Sequence, residues 1–189
     1  SHSMAGMKMR DTSLLPPDVA IGPGIDMVSM NPVDRMGDPG IGLDDVGHRV
    51  LTYKQLKSLT PRATVRTPTR LLELHLTGNM ERYMWSFDGV AFTDARDPIP
   101  FIEGERVRIT LVNDTMMNHP IHLHGHFFRV LAINGKPNPL REWRDTVMLG
   151  PNGSCDIAFV AENPGEWMFH CHVLDHAAGG MMGTVVVFD

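Results

Sequence analysis

From Thr69 onward, apolar and polar residues alternate with period two in short runs, the spacing that puts every second side chain on one face of a strand. Runs at 71–76, 106–112, 127–133, 145–149, 155–160, 166–169 and 183–188 read as strands. Asn134-Gly135, Pro151-Asn152-Gly153 and Asn163-Pro164-Gly165 punctuate them as turns. Seven or more short strands at this spacing predict an all-β fold, a Greek-key sandwich over 69–189. Residues 1–68 lack that pattern. Pro16-Pro17, Gly22-Pro23-Gly24 and Asp38-Pro39-Gly40 read as turns and loop. A short helix is predicted from Thr52 to Leu59, where Tyr53, Leu56 and Leu59 recur at helical spacing and Pro61 follows as a stop. An irregular stretch this long is not an independent fold and is expected to wrap against something.

Composition narrows the function classes. A chain of 189 residues with 42% hydrophobic content fills one core, and its net charge of −5 argues against a nucleic-acid partner. No apolar run approaches the ~20 residues of a membrane span. No signal-peptide pattern opens the chain, and Ser1-His2-Ser3-Met4 reads as a cut end or an added tag. Two cysteines give no disulfide framework, and Cys155, inside a strand-like run, reads as a small buried hydrophobe. Methionine is unusually abundant, with 14 residues. Met4, Met7 and Met9, then Met27, Met30 and Met36, lie in polar or Gly/Pro-rich sequence, where soft thioethers could hold Cu(I) or simply fill gaps.

The chemistry concentrates in two segments, His119-Pro120-Ile121-His122-Leu123-His124 and His170-Cys171-His172 continued through His176 to Met181. On extended backbone His170 and His172 project together while Cys171 projects the opposite way. His122 and His124 form a second same-face pair, and His119, of odd parity, can reach the face that Cys171 uses. Two metal environments back to back result. One offers Cys171, His119, His176 and the thioether of Met181; the other offers four imidazoles. Two histidines, a thiolate and a weak axial Met match a trigonal blue-copper site. Zinc rarely recruits a thioether, and iron–sulfur clusters need more thiolates than this chain has. The imidazole set alone suits copper or zinc, and its neighbour favours copper.

These motifs, His-Pro-x-His-x-His-Gly at 119–125 and His-Cys-His-x3-His-x4-Met at 170–181, resemble the C-terminal cupredoxin domain of multicopper oxidases, the laccase and bacterial copper-resistance group. The resemblance covers about 70–189 and implies a cupredoxin sandwich. It implies His119, Cys171, His176 and Met181 as type 1 copper ligands, His122 as a type 2 ligand, and His124, His170 and His172 as type 3 ligands. The implied reaction is oxidation of phenols, aromatic amines or Cu(I), coupled to four-electron reduction of O2 to water. Cys171, through its peptide neighbours His170 and His172, is the expected electron path, and these three carry the catalytic assignment. The family's trinuclear cluster takes four further histidines from two His-x-His pairs in an N-terminal cupredoxin domain, and no such pair exists here beyond those in the two motifs, since His75 and His48 stand alone. This chain is therefore expected to hold a type 1 site and half a trinuclear site. Partner domains of the same parent or a second chain would supply the rest, and two copies of this chain are a further option. The alternative is a lone electron-transfer or copper-binding domain without oxidase activity of its own.

Departures and neighbours complete the expectations. Ala177 stands where many family members carry a proton-relaying Glu, leaving Asp175 and Asp114 as sequence-near carboxylates. His126 is expected to pack or to support the ligands, and His75 and His48 to be ordinary packing or surface residues. Trp143-Arg144-Asp145-Thr146 is expected to support the wall near His119. The His122/His124 pair is expected at the mouth of the strand through Phe127. Residues 1–68 resemble the linker before the last domain of copper-resistance oxidases, and the resemblance implies a periplasmic or secreted location.

Overall fold

Alternation along the chain becomes alternating burial in a two-sheet sandwich. The computed structural model describes residues 22–25, 37–56, 67–94, 97–140 and 142–189. In order the strands are β1 Arg70–Asn79, β2 Met84–Phe87, β3 Ile99–Ile102, β4 Arg106–Asn113, β5 His119–Leu123 and β6 Phe128–Ile133. There follow β7 Lys136–Pro137, β8 Trp143–Arg144, β9 Thr146–Leu149, β10 Ser154–Val160 and β11 Gly165–Cys171, then a helix, α1 Leu174–Ala178, and β12 Met182–Phe188. One sheet runs β2-β1-β4-β10-β6-β7, with β8 also on β6; the other runs β3-β12-β11-β5-β9. Two pairings are parallel, β1 with β4 and β3 with β12, while the ladders around the metal-ligand candidates are antiparallel.

Strands β4, β10 and β12 bury every second residue, as expected where one face meets the core and the other meets solvent. Phe87 stacks on Phe169 across the core at 5.1 Å, and Phe101 meets Phe159 edge-on at 5.8 Å. Among the described residues before 69 there is no strand. In place of the predicted helix from Thr52 there is one 3-10 turn, Tyr53–Gln55, and residues 57–66 lie outside the described part. The Met clusters at 4–9 and 27–36 lie outside it too. Residues 38–41, 43, 51 and 52 line, together with 118, 133, 134, 148–150 and 153–155, a groove of about 460 Å³.

The structure adds strands that the alternation did not reveal. The segments of β2 and β3 are short, and the His122/His124 pair does not lead straight into the strand through Phe127. Instead β5 ends at Leu123, and the chain crosses from one sheet to the other before β6. Gly125 makes that crossing possible. It sits at φ +70°, and a Cβ there would run into the Trp167 indole. A left-handed conformation beside a packed ring leaves room for glycine alone. Gly125→Ala is expected to destabilise the fold by about 2–4 kcal/mol, combining backbone strain with overpacking. Urea denaturation checks this, and an unchanged midpoint would contradict it.

Candidate metal centre

The pleat sorts the donors onto two faces. β11 and β5 run antiparallel with Cys171 opposite Ile121, His170 opposite His122 and Phe169 opposite Leu123. Cys171, His119, Ile121 and Phe169 are buried, whereas His122 and His170 are half-buried on the outer side of the sheet and His172 is exposed. After Cys171 the chain turns through α1, which sends His176 inward to 2% exposure. Met181 then closes the loop. Its N–H donates to the His176 carbonyl at 3.0 Å, and its own carbonyl accepts from the Cys171 N–H at 3.1 Å. Met181 is fully buried.

Three donor atoms converge inside. Sγ of Cys171 lies 3.7 Å from Nδ1 of His119 and 3.7 Å from Nδ1 of His176, and the two nitrogens are 3.1 Å apart. The point equidistant from these three atoms lies about 2 Å from each, close to a metal–imidazole bond length. A metal ion therefore fits the donor set. The outer nitrogen of His119 supports the same conclusion. Its Nε2–H donates to Thr115 Oγ1 at 2.6 Å, while that hydroxyl donates to Asn113 Oδ1 at 2.8 Å. This assigns the tautomer that leaves the Nδ1 lone pair facing Cys171. Asn113 is itself anchored through Nδ2 to the carbonyls of Met117 and Gly150, each at 2.8 Å.

Burial prepares these groups for a cation. Desolvation, helped by the neighbouring His176, pulls His119 down to about 3. Desolvation also lowers His176, against the opposing pull of Asp175. Both imidazoles are therefore neutral at pH 7 and free to donate lone pairs. The Cys171 thiol is pushed up to about 11 by burial, partly offset by a hydrogen bond from the Val173 backbone. Binding a metal as thiolate thus expels a proton.

Outside, four imidazoles stand ring to ring. Centroids are 4.7 Å apart for His122 and His124, 5.1 Å for His122 and His172, 5.1 Å for His124 and His170, and 5.3 Å for His170 and His172. His122 Nδ1–H donates to the Asp145 carbonyl at 2.8 Å, and Nδ1 of His170 to the Cys171 carbonyl at 2.8 Å. Nε2 of His170 in turn lies 2.9 Å from Nε2 of His124. His124 is held below the usual imidazole range by desolvation and by the charges of His122, His170 and His172. Among the described residues only His119, Cys171 and His176 bring three donors all within 4.8 Å of one another. The outer four are gathered but not closed.

Other expected residues fall in place or move. His126 is buried outside both sets, packing on Phe159 and Trp167. Cys155 is a free buried thiol whose ionisation burial pushes far up. His48 is exposed. The Trp143–Thr146 segment supports His122, not the wall near His119, because β9 sets Thr146 opposite His122 and Leu149 opposite His119. Asp175 is exposed on α1. Sequence reasoning missed Trp85 altogether. Its ring is fully buried against both His176 and His119, with centroids at 4.1 Å and 5.2 Å. The cue was Trp85 and Phe87 at equal parity in a run too short to read as a strand.

Comparisons with known proteins place this geometry. The sequence model of the family described as "Multicopper oxidase" matches residues 65–189. Copper resistance protein A of Pseudomonas syringae pv. tomato is 45% identical over 165 residues, which are 87% of this chain and 26% of that protein. Copper resistance protein A of Escherichia coli is 42% identical over 184 residues, 97% of this chain and 29% of that protein. The chain thus spans less than a third of the length of these relatives. The solved multicopper oxidase McoA of Aquifex aeolicus superimposes with a TM-score of 0.59 at 28% identity, covering 69% of this chain and 32% of that one.

One expectation changes character. His75 is buried, and its Nδ1 is bonded to Asp114 while Nε2 meets Glu73 at 3.1 Å. Asp114, just past the end of β4, is thereby engaged with β1. Burial opposes the charge on His75, but the bonds and charges of Asp114 and Glu73 outweigh it and hold the imidazole up at about 9. A folded value above the ordinary 6.5 means stability present in full below about pH 6.5 and lost as pH rises to about 9. Denaturation midpoints are expected to fall across that window. His75→Gln should flatten the slope, and an equally steep slope in that variant would contradict the assignment.

Proposed function

Since the chain belongs to the multicopper oxidase family, which binds copper, we propose that it is the electron-accepting part of a copper oxidase. In this reading His119, Cys171, His176 and Met181 hold a type 1 copper. His122, His124, His170 and His172 are its share of a trinuclear copper site, completed by N-terminal cupredoxin domains of the parent or by another chain. The donors are phenols or Cu(I), and the acceptor is O2. We infer a periplasmic or secreted location from the family resemblance alone.

The observation that carries the reading is the closed triangle of two Nδ1 atoms and one Sγ directly behind the outer imidazoles. When bound, copper supplies one-electron exchange at the inner set and four-electron reduction of O2 to water at the outer one. The chain's own residues do the rest. Burial of His119, Cys171 and His176 keeps water from the donors, and Thr115 fixes the His119 tautomer. Cys171 is joined by single peptide bonds to His170 and His172. The bond from His170 Nδ1 to the Cys171 carbonyl adds a second short connection between the faces. Ala177, next to His176, offers no carboxylate for proton delivery, which leaves exposed Asp175 as the sequence-near carboxylate.

The unclosed outer imidazoles favour a second reading for the chain in isolation: a type 1 electron-transfer or copper-binding domain without oxidase activity. One experiment addresses both. Copper per chain, the visible spectrum, mass in solution and O2 uptake are measured on one copper-loaded sample. One copper per chain, a thiolate-to-copper band and no O2 uptake are expected for the isolated chain, with Cys171→Ser abolishing the band. O2 uptake driven by a phenol or Cu(I) would mean that associated chains complete the outer site. Absence of the band in the wild-type chain would falsify the type 1 assignment.

A further inference from the structure

Trp85 occupies a position that the donor set alone does not explain. It lies on β2, in the sheet opposite the one that carries His119 and Cys171. Its indole is fully buried, tilted by 37° over His176 at 4.1 Å and edge-on to His119 at 5.2 Å. Thus one side chain from across the sandwich touches two of the three donor residues. Its backbone engages the same loop, since the Trp85 N–H donates to the Gly179 carbonyl at 3.1 Å, three residues past His176.

The surroundings are cut to the indole. A Cβ at Gly78 would stand 2.7 Å from Trp85 Cε3, and one at Gly179 would stand 2.7 Å from Trp85 Cδ1. A Cβ at Gly180 would meet the Trp85 carbonyl and Ala91. Neither Gly78 nor Gly179 has a positive φ, so the missing side chains at these positions serve space, not backbone conformation. The two imidazoles also differ in their support. His119 is oriented through Nε2 by Thr115, while Nε2 of His176 has no hydrogen-bond partner among the described residues. A histidine ring turns readily about its outer side-chain torsion. The His176 ring meets Cys171 and His119 through Nδ1, and the indole covers its face.

We propose that Trp85 is a positioning residue of the inner donor set, fixing the plane of His176 and its spacing from His119 for the metal they share. The proposal rests on the type 1 copper reading above. An aromatic pair of this kind is attractive beyond its buried area, which favours one ring orientation over the others. Copper–thiolate spectra and potentials respond to ligand geometry and to the apolar surroundings of the sulfur.

The test uses the full chain loaded with Cu(II). Wild type, Trp85→Leu, Trp85→Phe and Phe101→Leu are compared by the thiolate-to-copper band, the electron paramagnetic resonance spectrum, the reduction potential and copper affinity. Phe101 is a buried core aromatic packed on Phe159, so its variant reports general loss of core packing. Trp85 Nε1 makes no hydrogen bond among the described residues, so Trp85→Phe keeps an aromatic face without breaking one. Trp85→Leu is expected to shift the band and the potential and to weaken copper binding at least tenfold. Trp85→Phe should recover most of that loss, and Phe101→Leu should leave the spectrum unchanged. Should Trp85→Leu not fold, Gly179→Ala replaces it, since the added methyl presses on the indole and should shift the band as well. A wild-type band that neither a folded Trp85→Leu nor Gly179→Ala alters would overturn the proposal, as would an equal shift in Phe101→Leu. No band in wild type removes the copper reading instead, a result distinct from either.

Discussion

Everything at this centre hangs on the two-residue repeat of one strand end. Along β11 the pleat sends Cys171 into the core while His170 and His172 stay on the outer side. The antiparallel partner β5 repeats the division, with His119 inside and His122 and His124 outside. A strand one residue out of register would send the thiol into solvent and the imidazoles into the core. The closed sandwich, with its apolar neighbours Ile121, Phe169 and Leu123, enforces the register. Burial that fixes the pleat also sets the electrostatics, keeping the imidazoles neutral and the thiol protonated until a cation replaces its proton.

Support for the inner set comes from outside the two motifs. Asn113 and Thr115, at the end of β4, fix His119 from one side, and Trp85 packs on His119 and His176 from the other. Met181 ties both ends of the α1 loop to the strand through its backbone. Three donors from three segments therefore converge on one point.

The outer set is built differently. Its four rings lie on the open face of a sheet, aligned by cross-strand pairing and by hydrogen bonds from His122 and His170 to backbone carbonyls. Their spacing brings rings into contact but leaves the donor atoms unclosed. The chain spans 26% to 29% of its copper-resistance relatives and presents these four imidazoles on one sheet face.

The sequence by itself determined which residues could share a face. Strict parity in His122-Leu123-His124 and His170-Cys171-His172 divides the donors, and periodic alternation in 106–112, 155–160 and 183–188 marks strands that are strands. Such features are local, and backbone geometry alone translates them. What only the tertiary structure decided was which faces meet. Gly125 breaks β5 from β6 because Trp167 occupies the space a side chain would need. His75 became a charged partner of Asp114 because parallel pairing of β1 with β4 brought distant residues together. The Trp143–Thr146 segment came to His122 because register with β5, not proximity in sequence, sets its neighbour. Trp85 reached the donors from the opposite sheet across the core. Each of these is a contact between segments far apart in the chain, and no periodicity encodes such a distance.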